Sequence, residues 1–155
     1  MRKRLLVIAS LVLAMATVTF AADDPFVGTW KLNVAKSKGF SGHAPKSDIG
    51  KIEAQDNGIK WTGDGVDAEG KAGHTEFSAK FDGKDYPATG FPNIGTISVR
   101  KIDSNTLVTL DKMAGKVVGS WRFTVSKDRK TLTCATKGKD AKGQDFNLTM
   151  VYDKQ

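Results

Sequence analysis

The sequence holds one cysteine, Cys134, and two histidines, His43 and His74, and its one long apolar run ends before residue 22. A single thiol excludes an internal disulfide, and nothing matches the paired-cysteine spacing of a zinc site, so packing alone must hold the fold. No Ser or Cys stands in a recognisable nucleophile motif. His43 falls in a loop-like stretch and His74 at a polar strand position, which argues against an enzyme. Asp23 and Asp24 precede the first strand, and Asp64-Gly65-Val66-Asp67-Ala68-Glu69-Gly70 lacks the ligand spacing of a calcium loop and reads as a solvated turn. No metal or cofactor is expected. Cys134 shares an apolar face and reads as a small core residue rather than a reactive thiol.

The apolar run has a clear purpose. Arg2, Lys3 and Arg4 precede Leu5 to Val18, and Thr19-Phe20-Ala21 puts small residues where a signal peptidase reads. We expect a signal peptide over residues 1–21, with cleavage after Ala22 as the alternative, and a mature domain over 22–155. An uncleaved anchor is the competing reading, but the run is shorter than the roughly 20 residues that span a bilayer. No cysteine follows the cleavage site, so a periplasmic or secreted product without stable membrane insertion is expected.

Positive charge is also less concentrated than the total implies. The chain carries +7, of which three charges leave with the leader, and the remaining lysines are scattered through turns. Without a basic block, nucleic acid is not an expected partner. The mature stretch is long enough for one domain that buries roughly two thirds of its unfolded surface.

What fills that domain is strand pattern, with no convincing amphipathic helix. Val117, Gly119, Trp121, Phe123 and Val125 alternate with Ser120, Arg122 and Thr124, the mark of one buried and one wet face. The same period runs through Ile59, Trp61 and Gly63; Thr75, Phe77, Ala79 and Phe81; Ile97 and Val99; Leu132 and Cys134; and Phe146, Leu148, Met150 and Tyr152. Between these runs lie short turns such as Asp56-Asn57-Gly58, Ala68-Glu69-Gly70, Asp82-Gly83-Lys84, Ala114-Gly115-Lys116 and Ala141-Lys142-Gly143, whose Asn and Gly supply positive φ for tight hairpins. The expected fold is all-β: a single antiparallel up-and-down β-barrel of about eight to ten strands, closed so that no edge is exposed. A sandwich is the alternative, but it needs longer crossovers than most of these turns provide. Two stretches stand apart: Ala35 to Ser47, which could cover one end, and Tyr86-Pro87-Ala88-Thr89-Gly90-Phe91-Pro92, whose prolines interrupt a ladder.

The first strand, Asp24-Pro25-Phe26-Val27-Gly28-Thr29-Trp30-Lys31-Leu32, carries a resemblance. Phe26 to Leu32 is similar to the opening strand of fatty-acid-binding proteins, and Gly28-x-Trp30 fits the first motif of the lipocalins. Met150-Val151-Tyr152-Asp153-Lys154 looks like the last strand of the same calycin superfamily. Taken whole, the chain resembles secreted bacterial proteins with a lipocalin-like domain. The resemblance implies a barrel whose base is closed by Gly28 and Trp30 and whose interior takes a small apolar molecule. It also marks departures. Fatty-acid-binding proteins hold a ligand carboxylate with Arg and Tyr two residues apart; here Tyr152 matches the Tyr, but Met150 occupies the Arg position. Ala35 to Ser47 is too short for that family's two-helix lid, and Arg122, the available basic residue, falls on an outward phase.

The predicted interior is almost entirely apolar. Trp61, Phe77, Phe81, Trp121, Phe123, Met150 and Tyr152 are the expected ligand-binding residues, with the Tyr152 hydroxyl as an orienting group and Phe40, Tyr86 and Phe91 at the rim. The expected function is non-covalent binding of a small hydrophobic ligand inside the barrel. The alternative is a filled barrel that serves as a structural or protein-interaction module with no ligand.

Overall fold

The computed structural model describes residues 23–139 and 145–155. The signal-peptide reading and the Ala141-Lys142-Gly143 turn therefore lie outside the described residues. Ten strands follow in order: β1 (Gly28–Leu32), β2 (Ser47–Gln55), β3 (Gly58–Val66), β4 (Ala72–Lys80), β5 (Tyr86–Thr89), β6 (Thr96–Asp103), β7 (Thr106–Met113), β8 (Lys116–Val125), β9 (Thr131–Lys139) and β10 (Asp145–Lys154). Each pairs antiparallel with its sequence neighbour, and β1 pairs with β10 to close the ring. This is the expected up-and-down barrel, and its closure excludes the sandwich.

Alternation does most of the shaping. Along β8, Gly119, Trp121, Phe123 and Val125 turn inward while Ser120, Arg122 and Thr124 are exposed. The turns work as their residues dictate: Asn57 and Arg129 adopt positive φ, and Ala114 and Gly115 do so consecutively, the mirror-image hairpin geometry that follows strand twist.

Four local readings need correction. Val117 is 58% exposed and Phe146 39%, although both were expected inside. A bulge between Asp111 and Lys112 pairs Asp111 with Gly119 but Lys112 with Val117, so the inward phase of β8 is broken at its first residues. Phe146, the second residue of β10, lies over Gly138 of β9, and Leu148 is only half-buried. Tyr86 to Thr89 is a strand: Pro87 pairs with Thr96, and β5 meets each neighbour through only two residue pairs, which is how a proline is accommodated. Finally, the segment after β1 begins alongside β10, not across the barrel's end. After a single 3-10 turn at Val34–Lys36, Lys38 exchanges backbone hydrogen bonds with Thr149 at 2.8 and 2.9 Å.

The core is sealed at the end where the chain enters. Phe26 and Trp30 are fully buried, and the Trp30 indole N–H donates to the Phe26 carbonyl at 2.8 Å. Gly28 lies against Lys154, whose ammonium stands 5.0 Å over the Trp30 ring. Lys101 pairs with Asp24 and stands 5.3 Å over the Phe81 ring.

Candidate ligand cavity

The interior is not filled throughout. A cavity of about 280 Å³ lies inside the barrel, close to the lower end of the roughly 300–1,000 Å³ typical of small-molecule sites. Phe26 and Leu107 contribute to it from the sealed end, and Phe91 and Ile94 from the Gly90–Gly95 loop at the opposite end. That loop is held close to β4, for a side chain at Gly90 would run into the His74 carbonyl oxygen, and Gly90 takes a φ of 79°.

The wall is aromatic and aliphatic, contributed by alternate residues of most strands. Trp61, Phe77, Trp121, Phe123, Met150 and Tyr152 all line the cavity, together with Ile52, Ile59, Ile97 and Cys134. Gly50 makes the space for Trp61. A methyl group at Gly50 would come within 2.1 Å of the Trp61 ring, and one at Gly63 within 2.5 Å of the Thr75 hydroxyl. The Trp61 indole donates to Thr75 Oγ1 at 3.1 Å, which fixes the ring.

Three predicted residues lie off the cavity and one has moved inward. Phe81 falls beyond the end of β4 on the sealed side, under Lys101, and does not line the cavity. Tyr86 is also off it, its hydroxyl donating to Asp82 at 3.0 Å. Phe40 is half-buried in the β1–β2 connection and does not line the cavity. Phe91, expected at the rim, joins the wall and packs its ring 6.2 Å from Phe77.

The larger correction is polar. Asp48 on β2 and Asp111 on β7 both line the cavity, with Thr75 and Thr109. Each lies near the strand end that faces the Gly90–Gly95 loop. The Tyr152 hydroxyl, expected to orient a ligand, already donates to Asp48 at 2.6 Å. Burial raises the Asp48 carboxyl above its ordinary range, the Tyr152 hydrogen bond works against that rise, and Asp64 adds to it. Asp111 is 3% exposed and accepts from Thr109 Oγ1 at 3.4 Å. Its carboxyl is likewise raised by burial, against the hydrogen bonding of Thr109 and Trp121. The Tyr152 hydroxyl and the Cys134 thiol are pushed up in turn, mainly by burial and then by the Asp48 charge. The thiol therefore stays protonated, and its place is that of a small wall residue.

The missed acids had a faint signal. Asp48-x-Gly50-x-Ile52 keeps the period of two, and so does Leu107-x-Thr109-x-Asp111. Reading only apolar residues as inward-facing skips both.

Among the described residues, no group of three or more His, Cys, Asp or Glu side chains is placed to hold a metal ion. His74 lies on the outer face, 2.7 Å from Asp64, and His43 is exposed.

No protein-family model and no curated protein matches the chain. Among solved structures, one described as EF1p2_mFAP2b bound to DFHBI is 11% identical, covering 84% of this chain and 94% of that one, with a TM-score of 0.44. A de novo designed fluorescence-activating β-barrel is 15% identical over the same shares, with a TM-score of 0.43. At this distance the likeness is one of barrel architecture, which this chain's own strand pairing already establishes.

Proposed function

We infer that the protein is an exported, lipocalin-like carrier that holds one small, mainly apolar molecule inside the barrel without chemical turnover. The observation that carries this reading is the 280 Å³ cavity, enclosed by Trp61, Phe77, Phe91, Trp121 and Phe123 in a barrel whose sealed end is packed solid. Apolar burial against these rings drives binding, and the few polar groups set orientation. The same cavity counts against the filled scaffold, which has no reason to leave five aromatic side chains facing open space.

Export rests on the basic start, the apolar run and the small residues before Asp23. Native mass spectrometry of protein recovered without detergent from the exported compartment tests both parts. The expected result is a chain beginning at Ala22 or Asp23 that carries a stoichiometric small-molecule adduct, released on denaturation. A chain retaining Met1 to Ala21 would remove the export reading. An apo mass that persists after challenge with mixed lipids and aromatic compounds would remove the carrier.

A further inference from the structure

The charge inside the cavity has one sign. Among its eighteen lining residues are two carboxylates and no Lys, Arg or His, although the chain holds 24 Lys and Arg. Among the described residues, neither Asp48 nor Asp111 takes part in an ion pair, while eight such pairs join other side chains. A buried carboxylate with no counter-charge is costly, and folds that retain one ordinarily pair it. Asp48 has at least a short hydrogen bond from Tyr152. Asp111, also in the cavity wall, accepts the long bond from Thr109 and that of Trp121, and no cationic residue lines the cavity beside it.

We propose that the cavity takes a small aromatic molecule carrying a protonated amine, its ammonium held by Asp111 and its ring held among Trp61, Phe77, Phe91 and Trp121. The proposal rests on the carrier reading and narrows it. An ammonium supplies the counter-charge that Asp111 lacks, through charge-assisted hydrogen bonds. Aromatic faces around it add attraction for the cation and match a planar ring. An anionic ligand is disfavoured twice over, by the two carboxylates and by Met150, which stands where a carboxylate-binding Arg would be needed.

Three ligands built on one ring separate the proposal from the reading beneath it: tryptamine, which is cationic at pH 7, neutral 3-ethylindole and anionic indole-3-propionate. Titration calorimetry on the exported protein is expected to rank them in that order, with tryptamine at least about tenfold tighter than 3-ethylindole. In Asp111→Asn the ratio of tryptamine to 3-ethylindole affinity collapses towards one, and a cooperative thermal unfolding transition shows that the variant has folded. If 3-ethylindole binds wild type as tightly as tryptamine, the cationic ligand is refuted and the apolar carrier survives. If none of the three binds, the aromatic-amine proposal is refuted, while the carrier reading stands or falls by the native mass measurement. A tryptamine preference that persists in Asp111→Asn refutes the assignment to Asp111. The wild-type ranking needs no variant, so a failure of Asp111→Asn to fold would still leave the proposal open to refutation.

Discussion

At the sealed end, Phe26 and Trp30 are fully buried and joined by an indole hydrogen bond, while Lys154 stands over the Trp30 ring and Lys101 over the Phe81 ring. Around the cavity, residues of the same alternating strands enclose space: glycine stands beside Trp61, and two carboxylates point inward with no cation between them. Trp30 and Gly50 are partners in the β1–β2 ladder, and Gly50 and Gly63 are partners in the next. One row of inward positions therefore passes from the largest side chain to none within three strands. The division of labour follows from this row. Stability concentrates where the row carries its own large side chain, whereas at Gly50 and Gly63 the row gives its space to the Trp61 ring of the cavity wall.

The sharpest way to break this comparison is to empty the filled end. Trp30→Ala removes the buried indole, its bond to the Phe26 carbonyl and the surface beneath Lys154. We expect a loss of about 3–5 kcal/mol in urea unfolding, enough to unfold much of a marginal barrel. A loss below about 1 kcal/mol would mean that the sealed end is not where stability resides. Adding bulk where glycine makes room for Trp61 is the converse. Gly50→Ala has no positive-φ penalty to meet, but its methyl group would enter the Trp61 ring and force it off Thr75. The expected cost is about 1–3 kcal/mol, with a smaller cavity and weaker ligand binding. If both stability and binding were unchanged, Trp61 would be free to swing, and the rigid wall would be the wrong picture.

The two regions were not equally legible in the sequence. The sealed end could be read directly, because Gly28-x-Trp30 sits in an unbroken strand pattern and burial of so large a ring leaves few choices. The barrel was readable for a similar reason: alternation and turn chemistry agree at nearly every hairpin. The cavity was readable only in its aromatic half. Trp61, Phe77, Trp121, Phe123 and Met150 follow strand phase, whereas Phe91 depends on how the Gly90–Gly95 loop folds back, which no periodicity reports. Phe81 kept the right phase but lies past the end of β4 on the sealed side, beyond Phe77, the last residue of that strand to line the cavity. Asp48 and Asp111 were hidden because an acidic residue inside a strand normally faces water, and here burial overrides that preference. Val117 was misread because the β7–β8 bulge shifts phase between Val117 and Gly119, and Gly119 was read as a small inward residue rather than as the mark of a bulge.

The smallest effect tests whether those hidden acids carry charge against the fold. Burial raises Asp111 from 3.8, so the folded protein binds its proton more tightly than the unfolded chain does. Its effect on stability is therefore most favourable below 3.8 and declines as pH rises through the window between 3.8 and the higher folded value. The surface acids run the other way. Asp82, held low chiefly by the Lys84 backbone N–H, Asp128 by the Ser126 hydroxyl and Asp153 by Asn33 and Lys36, contribute stability that is lost as pH falls through their lowered values. Asp111→Asn deletes the buried contribution and leaves the surface ones intact. Relative to wild type, its thermal midpoint should stay level in strong acid, rise as pH climbs above 3.8 and level off above the raised folded value. Asp48 shares the raised direction, so part of the wild-type slope should remain until Asp48→Asn is added. A variant that is less stable than wild type at neutral pH would show that Asp111 is satisfied where it stands. The one-signed interior would then be structural, and the case for a cationic ligand would lose its physical cause.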